Sequence, residues 1–201
     1  AEEDLQLTIE FIKTRYPQII VILDSKRGDI DTTAQMYARE AFDRYGADAV
    51  TVNPYMGKDT IEPFAENHAK GVFVLCRTSN PSAGELQELQ VSGKPMYQTV
   101  AEKASGSWNR HNNLGLVVGA TAPQQLREVR ALAPALPILV PGIGAQGGSL
   151  KEVMAAGLDA NRTGLIINSS RGIIYASNGS DFAHAAGQAA KKMRDEVNSY
   201  R

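Results

Sequence analysis

Cysteine is nearly missing from this sequence. One cysteine, Cys76, stands among 201 residues, so no internal disulfide framework can form and a reducing, cytoplasmic setting is expected. Histidine is almost as scarce. His68, His111 and His184 lie in helical or loop stretches without ligand spacing, and no metal site is expected from them. An excess of charge of either sign is lacking too. Lys+Arg number 21 against 22 Asp+Glu, a net charge of −1. No basic field favours nucleic acid or an anionic membrane, so any anionic ligand must be held by local groups. No apolar run approaches the ~18 residues of a membrane span. The opening AEEDLQ is acidic, which argues against a secretory signal, and it runs straight into a helical pattern.

What is present is ordinary for a soluble, globular, single-domain chain: 43% apolar and 21% charged residues. Six short runs rich in β-branched residues stand out: 19-IIVILD-24, 48-DAVTVN-53, 71-GVFVLC-76, 115-GLVVGA-120, 137-PILVP-141 and 164-GLIIN-168. They are nearly all apolar rather than alternating, which predicts strands covered on both faces, as in a parallel sheet. Helical stripes fall between them. One is Ala34, Ala38, Ala41, Phe42, Tyr45, and a second is Tyr97, Val100, Ala101, Ala104, Trp108. A third is Leu126, Val129, Leu132, Ala133, and the last is Phe182, Ala185, Ala186, Ala189, Met193. Tyr97 and Trp108 on their stripe read as core, and Cys76 as a buried, inert thiol. Regular alternation of strand and helix predicts an α/β fold with right-handed crossovers.

Two architectures fit, an open doubly wound sheet or a (β/α)8 barrel. Six strands are visible where a barrel needs eight, and a leading helix (Leu5, Ile9, Ile12) has no strand before it. The chain is therefore expected either to form an open sheet or to lack about two βα units upstream. The longest irregular stretch predicted is the loop 77–94.

Ligands bind at the carboxyl ends of strands in both architectures. The first such end reads 24-DSKRGD-29. Asp24 and Lys26 are two apart, so on a strand their side chains share a face, and Asp29 follows beyond the strand end. Carboxylates flanking an ammonium keep it protonated and in place, as a general acid or carbanion stabiliser requires. The stretch 138-ILVPGIGAQGG-148 contains G-x-G-x-x-G, the spelling of a dinucleotide site. It comes late in the chain, and the next strand ends in Asn168 and Ser169 rather than an acid, so the dinucleotide reading is set aside. The same glycines suit a phosphate site built from the last two strand-end loops, with backbone N–H groups and Gln146 from one, and the guanidinium fork of Arg171 from 169-SSRG-172.

The combination of D-x-K-x-x-D-I at 24–30, T-S-N-P at 78–81, V-G-A-T at 118–121, P-G-I-G-A-Q-G-G at 141–148 and S-S-R-G-I at 169–173 closely resembles the orotidine 5′-phosphate decarboxylase family. The similarity runs over essentially the whole chain. It implies a homodimeric (β/α)8 TIM barrel, with about six of eight βα units in this sequence, that converts orotidine 5′-phosphate to UMP and CO2 without metal or organic cofactor. It further implies that Asp24 and Lys26 flank the reacting carbon and that Lys26 protonates C6. Asp29 and Thr33 would reach the partner subunit's site. Ser79 would meet the pyrimidine edge, Pro141 would lie near the base, and Gln146 and Arg171 would hold the phosphate. In the family, two earlier strands carry a ribose-binding aspartate and a second active-site lysine. Neither has a counterpart here, so the chain is expected to be N-terminally incomplete. Two other readings remain: a Mg²⁺-dependent sugar-phosphate decarboxylase or aldolase of the same superfamily, and an inactive fragment that binds a nucleotide phosphate.

Overall fold

The computed structural model describes residues 1–144 and 147–201. In chain order its elements are α1 (Glu2–Arg15), β1 (Ile22–Arg27), α2 (Asp31–Arg39), β2 (Ala49–Val52), α3 (Glu62–Ala65), β3 (Gly71–Arg77), α4 (Gly84–Gln87), β4 (Gln90–Val91), β5 (Lys94–Pro95), α5 (Met96–Ser105), β6 (Leu114–Val118), α6 (Pro123–Leu132), β7 (Ile138–Pro141), α7 (Leu150–Gly157), β8 (Leu165–Asn168), α8 (Arg171–Ile174) and α9 (Phe182–Asn198). A π-helical turn over Glu40–Arg44 extends α2. The long strands lie in the order β1-β2-β3-β6-β7-β8. No described helix is long and apolar enough to cross a membrane.

The chain divides into two compact units, residues 1–75 with 103–116, and residues 76–102 with 117–201. In the first unit β1 pairs with β2 and β2 with β3, all parallel. All four residues of β2 are buried, as a strand covered on both faces demands. Phe42, Phe64, Ile61 and Val72 are buried in the same unit. The amide of Asn113 binds the carbonyl oxygens of Ala65 and Lys70 at 3.0 and 2.9 Å, joining the end of α3 to the start of β3.

In the second unit β7 and β8 pair in parallel from Ile138↔Leu165 to Pro141↔Asn168. The N–H of Ala120 donates to the carbonyl of Pro141 at 2.8 Å. Proline at the first position starts α6, where its missing N–H costs nothing. Ser149 caps α7 by accepting from the Glu152 N–H. Arg130, only 7% exposed, fastens the amino ends of β7 and β8. Its guanidinium donates to the carbonyls of Gly157 (2.7 Å), Leu136 (2.7 Å) and Gly164 (2.8 Å).

Several local expectations change. The first strand begins at Ile22, not Ile19, because its register with β2 starts at Ile22↔Ala49; Ile19 and Ile20 are 50% and 71% exposed. The stretch 77–94 is not irregular. It holds a 3-10 turn, α4 and an antiparallel β4–β5 ribbon. Tyr97 is core, but Trp108 lies beyond the end of α5, half-buried, with the Lys103 ammonium 6.0 Å from its ring centre. The stripe on α9 buries no residue, and of the leading stripe on α1 only Ile9 is buried. Cys76 is buried as expected, and loss of solvation pushes its thiol up to about 12.

Candidate active site

In the first unit, the charged groups at the carboxyl end of β1 converge. The Lys26 ammonium lies 2.7 Å from Asp24 Oδ1 and 2.8 Å from Oδ2. Both side chains remain near half exposed, at 48% and 43%, so solvent screens the pair and leaves the ammonium open to a ligand. Strand periodicity alone does not bring them together. Lys26 has φ +50°, a left-handed conformation costly for a side chain that carries a β-carbon. Such strain persists where the surroundings over-determine it, and it clusters at functional sites.

The surroundings here are Thr51 and Arg27. Thr51, fully buried on β2, accepts the Lys26 N–H at 2.9 Å and donates its hydroxyl to Asp24 Oδ1 at 2.8 Å. Arg27 pairs with Glu40 at 2.6 Å and stacks on the Tyr37 ring at 4.5 Å, tying the strand end to α2 and its π turn. Sequence reasoning passed over Thr51. The signal was a hydroxyl inside AVTV, because a polar group in a fully buried strand must find a partner.

Asp29 and Thr33 are placed differently. The carboxylate of Asp29 accepts the N–H of Ile30 at 2.8 Å, and among the described residues no ion pair links it to Lys26. Thr33 is exposed on the first turn of α2.

In the second unit, the end of β3 leads into Ser79. Gln87 locks this corner. Its amide oxygen accepts the Thr78 N–H and its NH2 donates to the Thr78 hydroxyl, each at 2.8 Å. Arg77 holds the neighbouring Glu88 at 2.9 Å. Ser79 packs on Gly119 so closely that no β-carbon fits between them. Pro141 ends β7 opposite Asn168. The glycines after it take φ +101° at 142, +73° at 144 and +85° at 147, which side-chain-bearing residues rarely adopt. The N–H groups of Gly144, Gly147 and Gly148 bond carbonyls inside this loop. Gln146 lies outside the described residues. Arg171 is exposed at the first position of α8.

Six parallel strands alternating with helices, each followed in sequence by polar residues or a glycine turn, define a chain of the (β/α)-barrel class of enzymes. Residues 3–186 match the model of the Orotidine 5'-phosphate decarboxylase / HUMPS family. Two curated proteins named orotidine 5'-phosphate decarboxylase are similar along the whole sequence. That of Janthinobacterium sp. (strain Marseille) is 54% identical over 100% of this chain and 74% of its own length. That of Cellvibrio japonicus (strain Ueda107) is 56% identical over 98% and 72%. The solved OMP decarboxylase of Leishmania donovani superposes with a TM-score of 0.85 at 45% identity, covering 98% of this chain and 72% of that one. The chain belongs to the orotidine 5'-phosphate decarboxylase family.

Proposed function

We propose that this chain carries the decarboxylation of orotidine 5′-phosphate to UMP and CO2, the closing step of pyrimidine nucleotide synthesis. The observation that carries the reading is the Lys26 ammonium seated on Asp24 at 2.7 Å, at a strand's carboxyl end, in a chain matched to the family over residues 3–186. The named decarboxylases at 54% and 56% identity favour it over a Mg²⁺-dependent sugar-phosphate enzyme.

The chemistry is simple to state. The bond from C6 to the carboxylate breaks, CO2 leaves, and the electron pair stays on C6. No cofactor is assigned to delocalise it. A fixed cation at that position favours the developing charge more than it favours the substrate, which is the condition for raising a rate. Lys26 then gives its proton to C6 and regains one from water. Asp24 sits against the departing carboxylate and keeps Lys26 aimed.

The remaining roles follow the family pattern. Ser79 meets the pyrimidine edge and Pro141 lies near the base. Gln146 and Arg171 hold the phosphate, a dianion suited to an arginine fork. Asp29 and Thr33 serve the neighbouring site of a homodimer, which agrees with the exposure of Thr33 and with Asp29 facing its own backbone. The enzyme works in the cytoplasm.

The test is turnover of orotidine 5′-phosphate, followed by the fall in near-UV absorbance with chelator present. Lys26→Ala is expected to lose about 10²–10⁴-fold in kcat, the range for a positioned acid. Activity that survives in Lys26→Ala, or that vanishes on adding chelator, overturns the proposal.

A further inference from the structure

Strands β1 and β2 do not match residue for residue. Leu23 stands opposite Val50 and Arg27 opposite Val52. Asp24, Ser25 and Lys26 therefore face a single residue, Thr51. Bulges of this kind re-aim side chains and occur beside active sites. Here the bulge takes Lys26 out of the ladder with φ +50°, and its N–H needs another acceptor.

The Thr51 hydroxyl is that acceptor, at 2.9 Å. A backbone N–H can only donate, so the single hydroxyl proton is free for Asp24 Oδ1, at 2.8 Å. The result is a directed chain from Lys26 N–H through the Thr51 hydroxyl to the carboxylate that also grips the Lys26 ammonium. Thr51 is 0% exposed and branched at its β-carbon, so its rotamer is held by packing.

We propose that Thr51 is a positioning residue of the reaction. Its hydroxyl fixes the bulge and the carboxylate together, and so sets where the ammonium points. This rests on the decarboxylase reading above. It adds a residue that touches neither substrate nor reacting atom and acts through Asp24 and Lys26.

Two replacements separate hydroxyl from size. Thr51→Val keeps the shape and removes the hydroxyl, while Thr51→Ser keeps the hydroxyl. The valine variant is expected to lose about 10²-fold in kcat, the usual cost of a misplaced reacting group. Its KM should stay within about threefold, because the groups assigned to the phosphate and base are untouched. Serine should restore most of the rate. Amide hydrogen exchange at Lys26, read by NMR, should be slow in the parent and the serine variant and fast in the valine variant. Thr51→Ala supplies the same readouts if valine does not fold. Valine with the parental kcat, serine as poor as valine, or a Lys26 amide still protected without the hydroxyl would each overturn the proposal. A parent chain that consumes no orotidine 5′-phosphate sinks the decarboxylase reading separately, and the Lys26 amide still decides whether the hydroxyl holds the strand end.

Discussion

Gly119 lies against Ser79 so tightly that a β-carbon added at 119 would stand 2.7 Å from the serine's own and 2.8 Å from its backbone nitrogen. The backbone of residue 119 is thus the platform on which the proposed base-contacting serine rests. Its N–H is fixed to the carbonyl of Arg77 at 2.7 Å, so the platform itself cannot retreat. Gly119→Ala should push Ser79 off the pyrimidine edge. The expected result is a rise in KM of about five- to tenfold, the worth of one lost hydrogen bond, with a smaller change in kcat. Ser79→Ala should raise KM by the same amount, and the double variant should be little worse than either single one. Fully additive effects would show that the glycine acts through something other than Ser79.

Arg130 has no part in the proposed chemistry and a large one in stability. Burial lowers its pKa, opposed by the charge of Asp159, yet the group is surrounded by carbonyl oxygens rather than by a paired acid. Arg130→Met keeps the bulk of the side chain but leaves those buried acceptors without a donor. A loss of about 3 kcal/mol is expected in denaturant unfolding, from a deficit of roughly 1–3 kcal/mol for each group stranded. KM and kcat of the folded fraction should not move, since the residue binds the amino ends of β7 and β8. An Arg130→Met protein as stable as the parent would contradict this account.

The alkaline limit of stability should depend on Tyr97. Burial, and then the hydrogen bond it donates to Glu128, push this phenol up to about 12 from an ordinary value of 10.0. The fold therefore favours the protonated form. The stabilisation is complete below about pH 10 and is lost as pH rises toward about 12, because only the unfolded chain releases the proton easily across that window. Urea midpoints measured from pH 9 upward should fall steeply in the parent, since unfolding releases about one more proton across this window. In Tyr97→Phe the slope through this window should flatten, and one tyrosinate should disappear from the high end of the near-UV titration. An unchanged slope would show that Tyr97 ionises alike in both states.

Much of this could be read from residue types and spacing. The strands were visible because a parallel sheet covered on both faces needs unbroken apolar runs, and β2, β3, β6, β7 and β8 lie within a residue or two of where those runs place them; β2, β3, β6 and β7 are largely buried, whereas β1 and β8 are only partly covered. The strand-end chemistry was legible for a related reason: a charged pair after such a run must sit at the mouth of the sheet. Other elements were less readable. β4, β5 and α4 are too short to show a period, and their stretch reads as loop. The stripes on α1 and α9 have the right spacing, but burial is decided by what packs on a helix, which spacing does not encode.

By itself the sequence determined that Asp24 and Lys26 would stand at the end of one strand, and that the glycines at 142, 144 and 147 would free the backbone for conformations other residues resist. Only tertiary structure decided how the pair meets. The contact requires two more residues in β1 than in the facing part of β2, and a hydroxyl 25 positions from Lys26 and 27 from Asp24 to take up the displaced N–H and orient the carboxylate. Hydrogen-bond pairing between strands is non-local, so a register is settled only when both strands are in place.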